Sequence, residues 1–178
     1  MKLSIIIPVY NEAKTIEEVV KRVEEVNIDK EIIAVDDGST DGSLDVLTGM
    51  ASKRRIKLIK HDINSGKGAA IKTGLKAATG DIVIVQDADL ETDPQDFYEL
   101  TKPIINGETK AVFGYRIANK PTSIYWWGGK MVSFITQLLY GGNVKDVNNG
   151  YKVMTRELWH DLDLKSNRFQ ICEEITAK

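Results

Sequence analysis

Asp81-Ile82-Val83-Ile84-Val85-Gln86-Asp87-Ala88-Asp89-Leu90-Glu91 runs four consecutive aliphatic residues straight into a cluster of carboxylates. An apolar run this short and this continuous suits a strand covered on both faces, the usual state of a parallel sheet. The same pattern recurs on either side of it. Leu3 to Val9 is a strand-like run closed by Tyr10-Asn11, and Glu31 to Val35 is another, ended by Asp36-Asp37-Gly38. Ile56 to Ile59 and Ala111 to Gly114 read as further strands. Between them, Thr15 to Val26 places Ile16, Val19, Val20 and Val23 at helical spacing among Glu and Lys. Ser39 to Ser52, Gly68 to Ala78 and Pro94 to Lys102 read as helices in the same rhythm. Strand and helix in alternation predict βαβ units and a parallel-dominated α/β sheet.

After Arg116 the rhythm breaks. Ile124 to Tyr140 is an aromatic and aliphatic stretch, interrupted by Gly128-Gly129-Lys130 and ended by Gly141-Gly142-Asn143. Tyr151 to Met154 reads as a short strand and Arg156 onward as a short helix. Glu173 to Lys178 reads as a helix with no stop signal after it, so the natural chain is expected to continue.

Composition narrows the function. The chain has 178 residues and a formal net charge of −2, which removes the general electrostatic case for nucleic-acid binding. With 42% hydrophobic and 28% charged residues it is an ordinary globular sequence of single-domain length. Cys172 is the lone cysteine, which excludes an internal disulfide and a cysteine-based zinc site and points to the reducing cytoplasm. The apolar start is too short for a signal peptide, and no uninterrupted apolar run is long enough to have to span a bilayer.

In open α/β sheets, ligands collect beyond the carboxyl ends of the strands. Here those ends are acidic: Tyr10-Asn11-Glu12, Asp36-Asp37, and Asp87-Ala88-Asp89 with Glu91. Carboxylates facing one crevice repel unless a cation lies between them, and a hard divalent ion shared with substrate phosphates satisfies that need. An isolated Asp-x-Asp is more often a helix cap or solvated loop. Behind a fully apolar strand and beside Glu91, the metal reading is preferred.

Gly66-Lys67-Gly68 lacks the flanking residues of a Walker A loop or a Rossmann fingerprint. It either presents backbone N–H groups to an anion at a helix start or is simply the turn that begins the helix. His61 and His160 have no ligand-spaced partners, and Cys172 reads as a passive thiol. The basic run Lys53-Arg54-Arg55-Ile56-Lys57 reads as a solvated face, with attraction to anionic lipid as the lesser alternative.

Three motifs together carry a family resemblance. Ile6 to Glu12, Val35 to Gly42 and Asp87-Ala88-Asp89 resemble the inverting family 2 glycosyltransferases of GT-A fold. Gln86 to Pro94, Gly114-Tyr115-Arg116, Asp146 to Val153 and Asn167-Arg168-Phe169-Gln170 are similar to their polyprenyl-phosphate branch, the dolichyl-phosphate mannose synthase-like enzymes. The resemblance implies one three-layer, Rossmann-like α/β/α catalytic domain with a mostly parallel sheet. Residues 1–116 would form the nucleotide-sugar and metal half, and 117–178 the acceptor half. It implies donor contacts from Pro8, Tyr10, Glu12, Asp37, Gly38 and Asp87, to which the anion reading of Gly66-Lys67-Gly68 adds Lys67, and Mg²⁺ or Mn²⁺ held by Asp87, Asp89 and Glu91. Arg116 and Lys130 would face the acceptor phosphate, and Asp146 matches a carboxylate proposed as catalytic alongside Asp89 and Arg116.

The expected reaction is transfer of a hexose from a GDP- or UDP-sugar to a polyprenyl phosphate with inversion. The aromatic segment 124–140 would meet the membrane, placing the chain peripherally at its cytoplasmic face or against a membrane-protein partner. A buried core helix is the competing reading of that segment. Two other functions stay open: transfer to a saccharide hydroxyl in surface polysaccharide synthesis, and a non-catalytic nucleotide-binding module of a membrane complex.

Overall fold

The computed structural model describes residues 1–114 and 151–178. Among the described residues six strands form one sheet: β1 (Leu3–Val9), β2 (Lys30–Asp36), β3 (Lys57–Lys60), β4 (Ile82–Val85), β5 (Ala111–Phe113) and β6 (Lys152–Thr155). The spatial order is β3-β2-β1-β4-β6-β5. β1 pairs in parallel with β2 and β4, and β2 with β3. The helices are α1 (Ile16–Glu25), α2 (Ser43–Ser52), α3 (Lys67–Ala77), α4 (Phe97–Ile105), α5 (Arg156–Asp161) and α6 (Ile171–Ala177).

β1 shows how the sequence makes three layers. Its side chains alternate across the sheet. Leu3, Ile5, Ile7 and Val9 join Ile16, Val19, Val20 and Val23 of α1, Leu47 of α2 and Phe97 of α4 on one face. Ile6 faces the other way, with Ile71 and Leu75 of α3, Trp159 of α5 and Ile175 of α6. Each of these large aliphatics, almost wholly withdrawn from solvent, contributes about 2 kcal/mol. Gly74 brings α3 tight against the sheet, since a Cβ there would lie 2.5 Å from Ile6 Cγ2.

One expectation is corrected. The helix expected over Ser39 to Ser52 begins only at Ser43, because Gly42 takes the left-handed conformation with φ +95° and residues 39–42 form a turn. The sheet is mostly parallel, as expected, and the last strand in sequence, β6, runs antiparallel between β4 and β5. The expectations for the segment 124–140, and for Arg116, Lys130 and Asp146, lie outside the described residues.

Candidate active site

Because β1, β2 and β4 are parallel, their carboxyl ends open on one side of the sheet, and a cleft of about 440 Å³ lies there. Its lining includes Pro8, Tyr10, Glu12, Asp37, Lys67, Asp87 and Asp89, seven of the residues marked from the sequence. Gly38 and Glu91 are not among its lining residues. Asn64, Arg168 and Phe169 are, and none had been marked as a site residue.

The turn after β1 is held by the turn after β2. Asn11 sits at φ +57° and accepts the Thr40 N–H at 2.8 Å on Oδ1, while its own N–H donates to Ser39 Oγ at 3.0 Å. The Glu12 N–H donates to Ser43 Oγ at 2.8 Å, and the Ala13 N–H to Asp41 Oδ2 at 3.0 Å. Asp41 also accepts the Ser43 hydroxyl, which with the Ala13 N–H holds its carboxyl below the usual range. Local side-chain bonding of this kind competes with helix. It explains why Ser39 to Asp41 stay in the turn and present Tyr10 to the cleft.

Asp37 is 2% exposed, and its carboxylate ties down the loop after β3. Oδ1 accepts the Ser65 N–H at 3.0 Å and meets His61 Nδ1 at 2.6 Å; Oδ2 accepts the Gly66 N–H at 2.7 Å. His61 continues from Nε2 to Thr73 Oγ1 on α3, at 2.9 Å. The N–H groups of Ser65 and Gly66 are therefore spent on Asp37, not offered to an anion. Gly38 serves close approach: at φ +72°, a Cβ there would lie 2.7 Å from the Asn64 nitrogen.

The Asp-x-Asp loop hangs from a buried amide. Gln86, 0% exposed, donates from Nε2 to the Asp87 carbonyl at 2.9 Å and to Thr92 Oγ1 at 2.8 Å, and accepts the Tyr151 hydroxyl at 3.1 Å. Burial raises the Tyr151 pKa above its ordinary value, so the phenol stays a donor. Phe97 meets the Tyr151 ring edge-on, with centroids 5.8 Å apart. Beyond this anchor Leu90 takes φ +64°, and the Glu91 N–H donates to Asp89 Oδ1 at 3.0 Å.

Lys67, the first residue of α3, places Nζ 2.5 Å from Asp87 Oδ1. Burial works against its charge, but the Asp87 carboxylate prevails and the ammonium sits above its ordinary pKa. Among the described residues no three His, Cys, Asp or Glu converge as a ready metal cage. The donor set nevertheless suits a hard cation. Asp87 and Asp89 stand at one strand end, and Mg²⁺ or Mn²⁺ needs only one or two carboxylates when phosphates complete the shell.

The opposite wall comes from the segment before α6. The Gly66 and Gly68 backbones lie against it so closely that a Cβ would fall 2.5 Å from the Asn167 and Ser166 carbonyl oxygens, respectively. The Ala69 N–H donates to the Asn167 carbonyl at 2.9 Å, and Lys72 Nζ reaches Asn167 Oδ1 at 2.6 Å. Glu174 braces the segment by accepting the N–H groups of Lys165 and Ser166, which bring its carboxyl down to about 2 despite the opposing effect of burial. Arg168 and the 76%-exposed Phe169 are thereby delivered to the cleft. Their signal in sequence was the Asn167-Arg168-Phe169-Gln170 motif, which carried no assigned role.

The basic run 53–57 lies at the other end of the sheet, and Arg55 pairs with Glu24 at 2.6 Å. Among the described residues no helix is long and apolar enough to cross a membrane.

The family model described as "Glycosyl transferase family 2" matches residues 4–162. The dolichol-phosphate mannosyltransferase of Pyrococcus furiosus is 32% identical, the match covering 100% of this chain and 53% of that protein. The UDP-N-acetylglucosamine–dolichyl-phosphate N-acetylglucosaminyltransferase of Methanococcus voltae is 34% identical, covering 98% of this chain and 79% of that one. The chain thus spans about half the length of the first relative. Among solved structures, glucosyl-3-phosphoglycerate synthase from Mycobacterium tuberculosis, in complex with Mn²⁺, UDP and glucosyl-3-phosphoglycerate, superposes with a TM-score of 0.73 at 25% identity. That match covers 98% of this chain and 62% of that one.

Proposed function

The chain belongs to glycosyl transferase family 2, and we propose that its cleft transfers a hexose from a nucleotide-sugar to a polyprenyl phosphate with inversion at the sugar. The observation that carries this reading is the meeting of Asp87, Asp89, Lys67, Tyr10 and Arg168 in one cleft at the strand ends. A nucleoside diphosphate needs an aromatic or apolar surface for its base and cations for its phosphates, and this wall offers both. The two relatives' names, each of which joins a dolichol or dolichyl phosphate to a sugar transferase, support the acceptor class.

In this reading Pro8, Tyr10 and Asn64 line the base and ribose end. Asp37 acts there through the loop it holds, since its oxygens already serve His61, Ser65 and Gly66. Lys67 and Arg168 meet the diphosphate. Asp87 and Asp89, with Glu91 beside them, hold Mg²⁺ or Mn²⁺. When bound, that ion supplies Lewis-acid neutralisation of the leaving diphosphate. Arg116 adds fixed positive charge at the reaction centre, and Lys130 receives the acceptor phosphate. A lipid phosphate oxygen is already anionic near neutral pH and needs little from a base; Asp146 would supply one for a hydroxyl. The chain works at a membrane surface, the side from which such an acceptor arrives.

The donor half is tested by thermal shift with GDP-mannose, UDP-glucose and UDP-N-acetylglucosamine, each with and without Mn²⁺. One donor should raise the melting temperature, and only with Mn²⁺. Asp89→Asn should abolish that shift while melting like wild type without ligand, because an exposed strand-end carboxylate contributes little to the core. A variant that still responds to donor and Mn²⁺ as wild type does would remove Asp89 from the metal site.

A further inference from the structure

Lys67 and Asp87 pair at 2.5 Å with side chains only 19% and 20% exposed, so this is a semi-buried contact inside the cleft and not a surface ion pair. Asp87 is also the first carboxylate of the pair that would hold a cation. One oxygen of that carboxylate therefore has two claimants. We propose that Lys67 is a resident counter-ion for Asp87 that couples cation binding to diphosphate binding. It holds Asp87 while the cleft is without donor, and turns to the diphosphate when donor and cation enter together. The inference rests on the nucleotide-sugar reading of the same cleft and deepens it.

Three observations carry it. First, a lone divalent cation approaching Asp87 must displace or face an ammonium in direct contact with its ligand. Like charges at such distances in a partly buried site repel strongly. Second, among the described residues the protein offers no cluster of three ligating side chains. A cation entering alone thus meets that repulsion with few protein ligands to offset it, whereas one entering with a diphosphate gains phosphate oxygens beside its waters. Third, Lys67 opens the eleven-residue helix α3, and its charge rides on a flexible four-carbon stem. It can leave Asp87 for an anion in the same cleft without unwinding the helix, toward the helix end where the dipole also favours negative charge.

The consequence is a thermodynamic coupling. The diphosphate raises the affinity for the cation by drawing the ammonium away, in addition to ligating the ion. By linkage the cation raises the affinity for the diphosphate by the same factor.

The test measures Mn²⁺ binding to the whole chain by the electron paramagnetic resonance signal of free Mn²⁺, alone and with UDP or GDP. Wild type is compared with Lys67→Met and Lys67→Arg, after thermal melts confirm that each is folded. Lys67→Met should bind Mn²⁺ alone about tenfold more tightly than wild type, because the competing charge is gone. Its gain from added nucleoside diphosphate should shrink. Lys67→Arg keeps the charge and should bind Mn²⁺ alone as weakly as wild type. Adding Asp87→Asn to Lys67→Met should erase the gain. If Lys67→Met binds Mn²⁺ alone no better than wild type while UDP or GDP still promotes Mn²⁺ binding, the coupling is overturned and the donor reading stands. If neither nucleotide affects Mn²⁺ binding in wild type, the donor reading itself falls and the coupling with it.

Discussion

Asp37 shows how one residue can belong to a site without reaching for the ligand. The sequence presents it as half of an acidic pair at a strand end, where contact with ribose or base is the natural reading. In the fold its two oxygens accept two backbone N–H groups and meet one imidazole nitrogen, and little of it faces solvent. Replacing it by Asn would aim an amide N–H₂ at donors it cannot satisfy. We expect Asp37→Asn to cost about 1–3 kcal/mol of stability in the absence of any ligand, from buried donors left unpaired. Urea denaturation of the free protein reads this directly. A variant as stable as wild type that has lost only donor affinity would mean that Asp37 serves the ligand and not the loop.

Glu31 does comparable work between elements. At the start of β2 it accepts the Ser4 hydroxyl of β1 at 2.5 Å, and the N–H groups of Thr79 and Gly80 between α3 and β4 at 2.7 and 3.1 Å. Lys2 adds an ion pair at 3.3 Å. Burial pushes its carboxyl up, but these donors outweigh burial and bring it down from 4.5 to about 2. A depressed carboxylate stabilises the fold above its unfolded pKa, and that contribution is lost as pH falls through the folded value. Glu31→Gln should therefore cost about 2 kcal/mol near neutral pH, the worth of hydrogen bonds to a charged acceptor. The difference from wild type should fade between pH 4.5 and about 2. Chemical denaturation of both proteins across that range checks it; a gap independent of pH would show that the charge of Glu31 is not what joins these elements.

Over the whole molecule, what was legible in the sequence was local in the chain. The aliphatic runs of β1, β2 and β4 announce buried parallel strands, and the acids that follow them announce where a ligand would sit. Seven of the lining residues follow from that rule, from the family motifs and, for Lys67, from Gly66-Lys67-Gly68. What was not legible depends on contacts between distant segments. His61 has no ligand-spaced partner in sequence, yet folding sets it between Asp37 and Thr73. Arg168 and Phe169 lie about a hundred residues from Lys67 in the chain and reach the cleft where Gly66 and Gly68 leave room for the backbone of Ser166, Asn167 and Arg168. The antiparallel pairing of β6 with β4 and β5 is likewise nothing that Lys152 to Thr155 announce in sequence.

The central claim is that this cleft delivers a hexose to a lipid phosphate. Its most direct test is radiolabelled sugar transfer with Mn²⁺, comparing a short-chain polyprenyl phosphate with the matching polyprenol, in wild type, Arg116→Ala and Lys130→Ala. Transfer should require the phosphate. Arg116→Ala should cripple it, and Lys130→Ala should mainly raise the KM for the lipid phosphate while the donor KM holds, as expected when a ground-state acceptor contact is lost. Efficient transfer to the polyprenol, or a phosphate reaction indifferent to both substitutions, would contradict the claim and leave a hydroxyl as the acceptor.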